Sequence, residues 1–233
     1  MAHEHGPAFV FVNLIEAHLP YDPPEGYRGR LHTGSAHPVI DRLLMDRLLP
    51  GAFAGSLTDD DLADARTLYQ EEVAYVDGAL GELLAVLARQ RRGNALVVVT
   101  SDHGEAFAEH RLGTIQLIDH QLSLADELLH VPLAVRWPGH LEGGRVVTED
   151  VGLLDVAPLL RSVLGERGTP ALLNPEADRV FSASYMPPAN LRPLLERLAP
   201  AQSAALASRT LRAVRAGPEK LVVASDGPAM LFD

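Results

Sequence analysis

The sequence predicts an α/β fold, in which helices flank a mostly parallel sheet and a small antiparallel sheet lies near the carboxyl end. Residues 9–14 and 96–100 are apolar runs with the β-branched and aromatic composition of buried strands. A segment with helical periodicity separates these two runs along the chain. Because strand, loop, helix and strand follow in this order, we expect a right-handed parallel crossover.

The helix between the two strands has a clear beginning and a clear apolar face. Thr58 is followed by Asp59, Asp60 and Asp61, and a hydroxyl cap with acidic residues in the first turn favours a helix start. Apolar side chains then recur at alternating steps of four and three, which predicts one face packed against the sheet. These side chains are Tyr69, Val73, Val76, Leu80, Leu83 and Leu87.

Two further regions complete the predicted organisation. Residues 28–57 are rich in Gly, Pro and polar residues around a short leucine-rich helix at 39–49, which indicates a surface insertion. Residues 180–183, 210–214, 221–224 and 230–232 are short strand-like runs separated by turn residues, as in a small antiparallel sheet. We therefore expect an incomplete α/β domain over residues 1–170 and a small, truncated α+β subdomain over residues 171–233.

The second apolar run ends abruptly at Asp102, His103 and Gly104. Open α/β sheets bind ligands just beyond the carboxyl ends of their strands, and a carboxylate beside an imidazole is a metal-ligand pair. Gly104 is expected to let the backbone turn sharply so that the two side chains converge. In the alternative interpretation, Asp102 caps a following helix and His103 is solvated.

Composition excludes some classes of function. The formal net charge of the 233 residues is -11, which argues against nucleic acid as a partner, and no segment approaches the length of a transmembrane helix. The absence of cysteine excludes disulfides and thiolate-bound zinc. Neither cysteine usage nor the first residues decide the cellular compartment, and the oligomeric state is equally open.

Four blocks of sequence, taken in order, resemble the sulfatases of the alkaline phosphatase-like superfamily. Residues 18–24 (HLPYDPP) are similar to a His-x-Pro-Tyr-x-Pro-Pro loop of that family, and residues 69–81 (YQEEVAYVDGALG) to the long helix after it. Residues 100–132, with SDHGEAFAEH and DHQLSLADELLHVP, resemble the metal-binding strand end and the next segment. Residues 151–165 resemble a downstream Asp-x-x-Pro-Thr-Leu helix, although Leu159 stands where threonine is usual.

The resemblance implies a metal-dependent hydrolase of sulfuric esters, acting on a small-molecule or carbohydrate sulfate ester. It assigns Asp102 and His103 as metal ligands, with other acidic ligands coming from an earlier segment of the family fold. Ligand chemistry alone favours manganese, zinc or magnesium, because calcium prefers oxygen ligands. The resemblance nevertheless ranks calcium first and manganese second. Since the net charge would repel an anionic ester, the substrate must be attracted by a local cation.

Three histidines are the candidate catalytic residues. By resemblance, His18 and His120 hold the sulfate oxygens and protonate the leaving group, which suits an imidazole with a pKa near neutrality. Many sulfatases place a lysine near the position of His120, whereas the only lysine here is Lys220. His110 also fits a family position, where indirect support or helix capping competes with direct catalysis. For His18, the structural alternative is a loop histidine bonded to backbone.

The sequence departs from the family pattern at the nucleophile. Sulfatases use a formylglycine made from a cysteine or serine in a Cys/Ser-x-Pro/Ala-x-Arg motif, but this chain has no cysteine and none of its serines begins that motif. We therefore expect a fragment whose formylglycine lies in a missing amino-terminal segment, and little turnover by these 233 residues alone.

Two alternatives to a sulfatase remain open from the sequence. One is a phosphodiesterase, phosphonate hydrolase or phosphoglycerol transferase of the same superfamily, with the same Asp-His pair but another nucleophile. The other is a non-enzymatic metal-binding or interaction domain that begins at Met1. A sulfatase site requires Asp102 and His103 to converge on one metal near His18 and His120.

Overall fold

A computed structural model of the chain describes residues 8–31, 38–91, 95–163 and 179–232. The helices are α1 (Pro38–Ala54), α2 (Asp59–Arg91), α3 (Asp126–Leu129), α4 (Val156–Val163), α5 (Leu191–Leu198) and α6 (Ser203–Ser208). The strands are β1 (Val97–Thr100), β2 (Ala106–Leu112), β3 (Ile115–Asp119), β4 (Leu133–Arg136), β5 (Val180–Tyr185), β6 (Leu211–Ala216), β7 (Glu219–Ala224) and β8 (Met230–Phe232).

The chain divides into two compact units, residues 1–49 with 57–92 and residues 50–56 with 93–233. Helix α2 belongs to the first unit, and strands β1 to β8 belong to the second. The domain boundary expected between residues 170 and 171 lies outside the described residues, so it stays a prediction. Among the described helices, none combines the length and the apolar composition that a bilayer crossing requires.

Helix α2 begins where the sequence predicts. The Asp61 amide donates to Thr58 Oγ1 at 3.2 Å, and the Thr58 amide donates to Asp61 Oδ2 at 3.0 Å. This reciprocal pair satisfies amides that a helix start would otherwise leave without acceptors. The cap and the acidic first turn are therefore confirmed.

The buried stripe of α2 differs from the predicted one in its first half. Asp61, Ala65, Leu68 and Glu72 are buried, whereas Val73, expected on the packed face, is 43% exposed. The other predicted positions are only partly buried. The carboxylate of Glu72 is thus buried instead of the neighbouring Val73 side chain, and backbone amides of the preceding loop are its partners.

Residues 9–14 do not form the expected strand. They have no regular secondary structure and no ladder partner among the described residues, and Phe9, Val10 and Phe11 are 75%, 72% and 79% exposed. Apolar composition indicates that a segment suits burial, but a strand also needs the backbone groups of a neighbour. The expectation of a strand here is wrong for the described structure.

Strand β1 is confirmed, with a different partner from the one expected. It pairs antiparallel with β4, with Val97 opposite Arg136 and Thr100 opposite Leu133. The Thr100 hydroxyl also donates to the Pro132 carbonyl at 2.8 Å. The strand is half-buried instead of covered on both faces, and no parallel pair occurs among the described strands.

The carboxyl-terminal sheet agrees with the sequence. Strands β5, β6, β7 and β8 follow in that order, and each neighbouring pair is antiparallel. One face of β6 and β7 packs into a core and the other is exposed, as alternating side chains require. The buried members of that core are Leu124, Leu211, Ala213, Val222 and Ala224.

A charge cluster ties this sheet to α3. The Lys220 Nζ donates to Asp126 Oδ1 at 2.6 Å, and the Arg215 guanidinium donates to Asp126 Oδ2 at 2.9 Å. Arg215 also reaches Asp150 at 3.1 Å. Burial acts to raise the pKa of Asp126, but Lys220 and Arg215 outweigh it, so the pKa of Asp126 lies below its usual value.

Replacing Asp126 with asparagine is expected to lower the free energy of unfolding at pH 7 by about 1 kcal/mol, since solvent screens a half-exposed carboxylate. The lowered pKa means that this contribution is present above the unfolded-state pKa and is lost as pH falls through the folded-state pKa. Urea denaturation of the wild type and Asp126→Asn should therefore converge in acid. The exposed Glu142→Gln serves as control, and a difference independent of pH would contradict the prediction.

Candidate active site

The segment after β1 is fixed by backbone contacts within the second unit. The Ser101 hydroxyl donates to the His103 carbonyl at 2.6 Å, and the Gly104 amide donates to the Leu128 carbonyl at 2.8 Å. The His103 amide donates to Asp102 Oδ1 at 3.1 Å. The next element is strand β2, so the alternative in which Asp102 caps a following helix is wrong.

Gly104 is needed for a different reason from the one expected. Its φ lies outside the left-handed region, but a Cβ at this position would come within 1.9 Å of the Glu127 carbonyl oxygen. The strand end and α3 therefore approach each other more closely than any side chain at residue 104 would allow. Close packing, not turn geometry, selects glycine here.

A hairpin formed by β2 and β3 brings separate chemical groups together. Ala106 lies opposite Asp119, so Glu105 and His120, the adjoining residues, meet at the same end of the hairpin. Glu105, Asp119 and His120 each offer a ligand atom, and these atoms lie within 4.8 Å of one another. This is the metal-capable group of three that the described residues contain, and it includes neither Asp102 nor His103.

His120 is held by its neighbour in the chain. Its Nδ1 forms an ion pair with Asp119 Oδ1, whose backbone is in the left-handed region at φ 66°. Hydrogen bonding to Asp119 raises the pKa of His120, burial opposes this, and the charges of Asp119, Glu105 and Asp102 add to the rise. The ring therefore keeps its proton to a higher pH than an ordinary histidine.

His103 lies directly against His120. The two rings stack with centroids 4.0 Å apart and planes inclined by 26°. His103 Nδ1 lies 2.8 Å from the Gly104 carbonyl, so it donates there and the ring lone pair lies on Nε2. That Nε2 is 3.9 Å from Asp102 Oδ1, and the Asp102 side chain is 87% exposed.

Asp102 and His103 fit a divalent metal by their donor chemistry. A backbone carbonyl that fixes the imidazole tautomer is the usual second contact of a metal-bound histidine. One carboxylate oxygen and one imidazole nitrogen at this separation can reach a common ion, and the exposure of Asp102 leaves space for further ligands.

His110 has an acidic partner of its own. Its Nε2 lies 3.3 Å from Glu127 Oε2 on α3, and its side chain is 46% exposed. The register of β2 and β3 is irregular between Phe107 and Arg111, and Ala108 lies in the left-handed region at φ 64°. The structure thus pairs His110 with α3, and the choice between direct catalysis and indirect support stays a prediction.

His18 belongs to the first unit and lies in a loop that α2 holds. The ring is exposed, and its Nδ1 lies 2.6 Å from the Leu19 carbonyl. Burial raises the pKa of Glu72, and hydrogen bonds from the Asp22 and Ala17 amides act against this rise. His18 and Asp102 belong to different units, so their convergence on one site stays a prediction.

Asp119 and Glu105 lie within two residues of His120 and His103 in the chain, so the local sequence already places them in this region. Sequence reasoning missed two other residues, Glu127 and Glu72. Glu127 gave no signal, since its partner His110 is distant along the chain. Glu72 was hidden because helical periodicity ranks apolar side chains only.

Comparison with known proteins identifies the family. The sulfatase family model matches residues 1–166. Arylsulfatase K of Danio rerio is 33% identical over 113 residues, covering 48% of this chain and 20% of the relative. The chain therefore spans about a fifth of the length of that curated relative.

Two solved structures are similar in fold. A phosphonate monoester hydrolase of Agrobacterium radiobacter has a TM-score of 0.56 and 26% identity, covering 76% of this chain and 36% of that one. BT4656, solved in complex with its substrate D-glucosamine-2-N,6-O-disulfate, has a TM-score of 0.57 and 20% identity, covering 74% and 34%. These likenesses support the α/β fold class expected from the sequence, with its alkaline phosphatase-like arrangement.

Gly104→Ala is expected to destabilise the chain by about 1–3 kcal/mol, because the new methyl group displaces the strand end or α3. The amide resonances of Asp102 and His103 and the ring resonances of His103 should shift in heteronuclear NMR spectra. Gly143→Ala is the matched control, since a Cβ there meets nothing within 4 Å. Equal stability and unchanged resonances in Gly104→Ala would show that the close approach to α3 is absent.

Asp119→Asn is expected to lower the pKa of His120, because it removes the charged hydrogen-bond partner that contributes most to the raised pKa, while Glu105 and Asp102 remain. Asparagine tolerates the left-handed backbone at this position, so the turn should persist. NMR titration of the histidine rings in metal-free protein measures the change, with His140 as internal reference. An unaltered His120 titration would refute the role given to Asp119.

Proposed function

The chain belongs to the sulfatase family, and on that premise we propose that its residues form part of the site of a metal-dependent hydrolase of sulfuric esters. The observation that carries the proposal is the stacked pair His103 and His120 beside Asp102, Glu105 and Asp119. This arrangement puts a candidate metal-ligand pair next to a histidine whose pKa is raised by its acidic neighbours. The two together would supply charge stabilisation and a proton, two of the three requirements for cleavage of an anionic ester, the third being a nucleophile.

We propose that His120 is the proton donor. With Nδ1 directed to Asp119, the opposite ring nitrogen carries the proton that can pass to the leaving oxygen as the sulfur–oxygen bond breaks. An alcohol leaves far more readily than an alkoxide, and the raised pKa keeps the His120 ring protonated to a higher pH than an ordinary histidine. The protonated ring also supplies positive charge against the sulfate oxygens.

Asp102 and His103 would hold the metal. A divalent ion bound there supplies electrostatic stabilisation of the charge on the sulfate oxygens. Calcium is the first candidate and manganese the second, although the imidazole ligand by itself favours manganese. Local positive charge at this point is essential, because the chain has a net charge of -11 and would otherwise repel an anionic substrate.

The other two histidines have separate roles in this proposal. His18 contacts a sulfate oxygen from the loop held by α2, and His110 acts indirectly, since its contact with Glu127 stabilises the packing of β2 against α3. The attacking oxygen is assigned to none of these 233 residues, because they contain no cysteine and no serine in the motif that yields formylglycine.

The substrate class we propose is a small-molecule or carbohydrate sulfate ester. Arylsulfatase K as a relative and a glucosamine disulfate as the ligand of BT4656 support sulfate esters of these two kinds.

Asp102→Asn is expected to weaken calcium or manganese binding to the 233-residue chain by about 100-fold or more, since it removes the only carboxylate charge given to the metal here. His110→Gln should have a much smaller effect. Isothermal titration calorimetry of both variants measures the difference. Equal losses would contradict the assignment of Asp102 as ligand.

Activity is tested on the product of the complete reading frame that contains these residues, with an aryl sulfate, D-glucosamine-2-N,6-O-disulfate and an aryl phosphonate monoester. Sulfate-ester hydrolysis that depends on added metal and falls at least about 100-fold in Asp102→Asn supports the proposal. Glu149→Gln, an exposed change in the same unit, should leave the rate unaltered. Turnover of the phosphonate alone would refute it.

A further inference from the structure

Two adjacent carboxylates on α2 are buried in the first unit. Glu71 is 1% exposed and Glu72 is 5% exposed. Neighbouring buried groups of like charge are costly unless each is satisfied by hydrogen bonds or opposite charge. The partners of these two side chains are backbone amides of the loop that carries His18.

Glu72 holds both ends of the turn that contains His18. Its Oε2 accepts from the Ala17 amide at 2.9 Å, and its Oε1 accepts from the Asp22 amide at 2.7 Å. The two oxygens of one carboxylate therefore fix the backbone immediately before and soon after His18. Hydrogen bonds to a charged acceptor are about twice as strong as those between neutral groups.

Glu71 holds the following turn in the same manner. Its Oε2 accepts from the Gly29 amide and its Oε1 from the Leu31 amide, each at 2.9 Å. The two glutamates thus divide the loop between them, with one carboxylate for each half. Charged side chains in the loop have other contacts, since Arg28 pairs with Asp22 and Arg30 lies 4.2 Å from the centre of the Tyr27 ring.

The backbone beside His18 is strained, which indicates that its conformation is imposed. Ala17 lies in the left-handed region at φ 72°, where a residue with a Cβ is unfavourable. Such a conformation persists only when the surroundings hold it, and the hydrogen bond from the Ala17 amide to Glu72 does so directly. The exposed His18 ring follows this residue in the chain.

We propose that Glu72 is a positioning residue that sets the direction of the His18 side chain, and that Glu71 independently holds the second half of the loop. The catalytic relevance of this arrangement rests on the proposed function of His18, whereas the arrangement itself does not. Glu72 acts only through backbone amides, so its effect on the reaction is indirect.

Hydrogen exchange of backbone amides in the 233-residue chain tests the division of the loop. In Glu72→Gln, which replaces one acceptor oxygen by a donor, exchange at Ala17 and Asp22 should rise about tenfold or more, with little change at Gly29 and Leu31. Glu71→Gln should give the reverse pattern. Glu82→Gln, an exposed change on the same helix, should alter neither pair.

NMR signals of the His18 ring distinguish a positioning role of Glu72 from a merely structural one. The carbon–proton ring signals of His18 should move in Glu72→Gln and stay unchanged in Glu71→Gln. Glu72→Asp, which keeps the charge and both oxygens on a shorter stem, should restore part of the wild-type ring position. A uniform rise in exchange across the first unit in either variant, or His18 signals that respond equally to both, would overturn the proposal.

Titration with inorganic sulfate distinguishes this proposal from the proposed function. If the exchange pattern and the His18 signals follow the glutamates while sulfate leaves His18 unmoved, Glu72 is a positioning residue and the sulfate role of His18 is wrong. If sulfate moves His18 equally in the wild type and Glu72→Gln, with no difference in ring position between them, the positioning role is wrong and the sulfate role stands.

Discussion

Register between β2 and β3 decides which side chains meet at the candidate site, because Ala106 faces Asp119 and the residues beyond each end follow from that pairing. Glu105 and His120 are neighbours only in this register, because a one-residue shift of either strand would turn the side chains of that strand to the opposite face. His103 is then carried against His120 by the short connection between β1 and β2. Gly104 keeps that connection in contact with α3, where no Cβ would fit.

Carboxylates organise both units, each with its own type of partner. Asp119 is bound to an imidazole, Asp126 to a lysine and an arginine, and Glu71 with Glu72 to backbone amides. Backbone amides satisfy the carboxylates of Glu71 and Glu72. A chain with 31 acidic and 20 basic side chains can therefore bury these two acidic groups by hydrogen bonding to its backbone. In the second unit, Asp119, Glu105 and Asp102 favour the protonated form of His120. The carboxylate oxygens of Glu105 and Asp119 could also serve as metal ligands.

Local pattern was enough to predict β1, the capped start of α2, the helix within α1 and the antiparallel sheet from β5 to β8. These features depend on residues close together in the chain, so they can be predicted from composition and spacing. The pairing of β1 with β4, and of His110 with Glu127, depends on contacts distant in sequence, which periodicity does not encode. Burial of Glu72 in place of Val73 arose from the amides of a loop, and the apolar run at 9–14 gave no sign that it lacks a strand partner among the described residues.

In the proposed site, Asp102 and His103 bind the metal while His120, paired with Asp119, remains a proton donor. Anomalous diffraction from crystals of the chain grown with manganese locates the ion directly. We expect one peak in contact with the Asp102 carboxylate and His103 Nε2, with the His120 ring outside the coordination shell. A peak enclosed by Glu105, Asp119 and His120, with none beside Asp102, would contradict it, because His120 would then be a ligand and could not donate its proton.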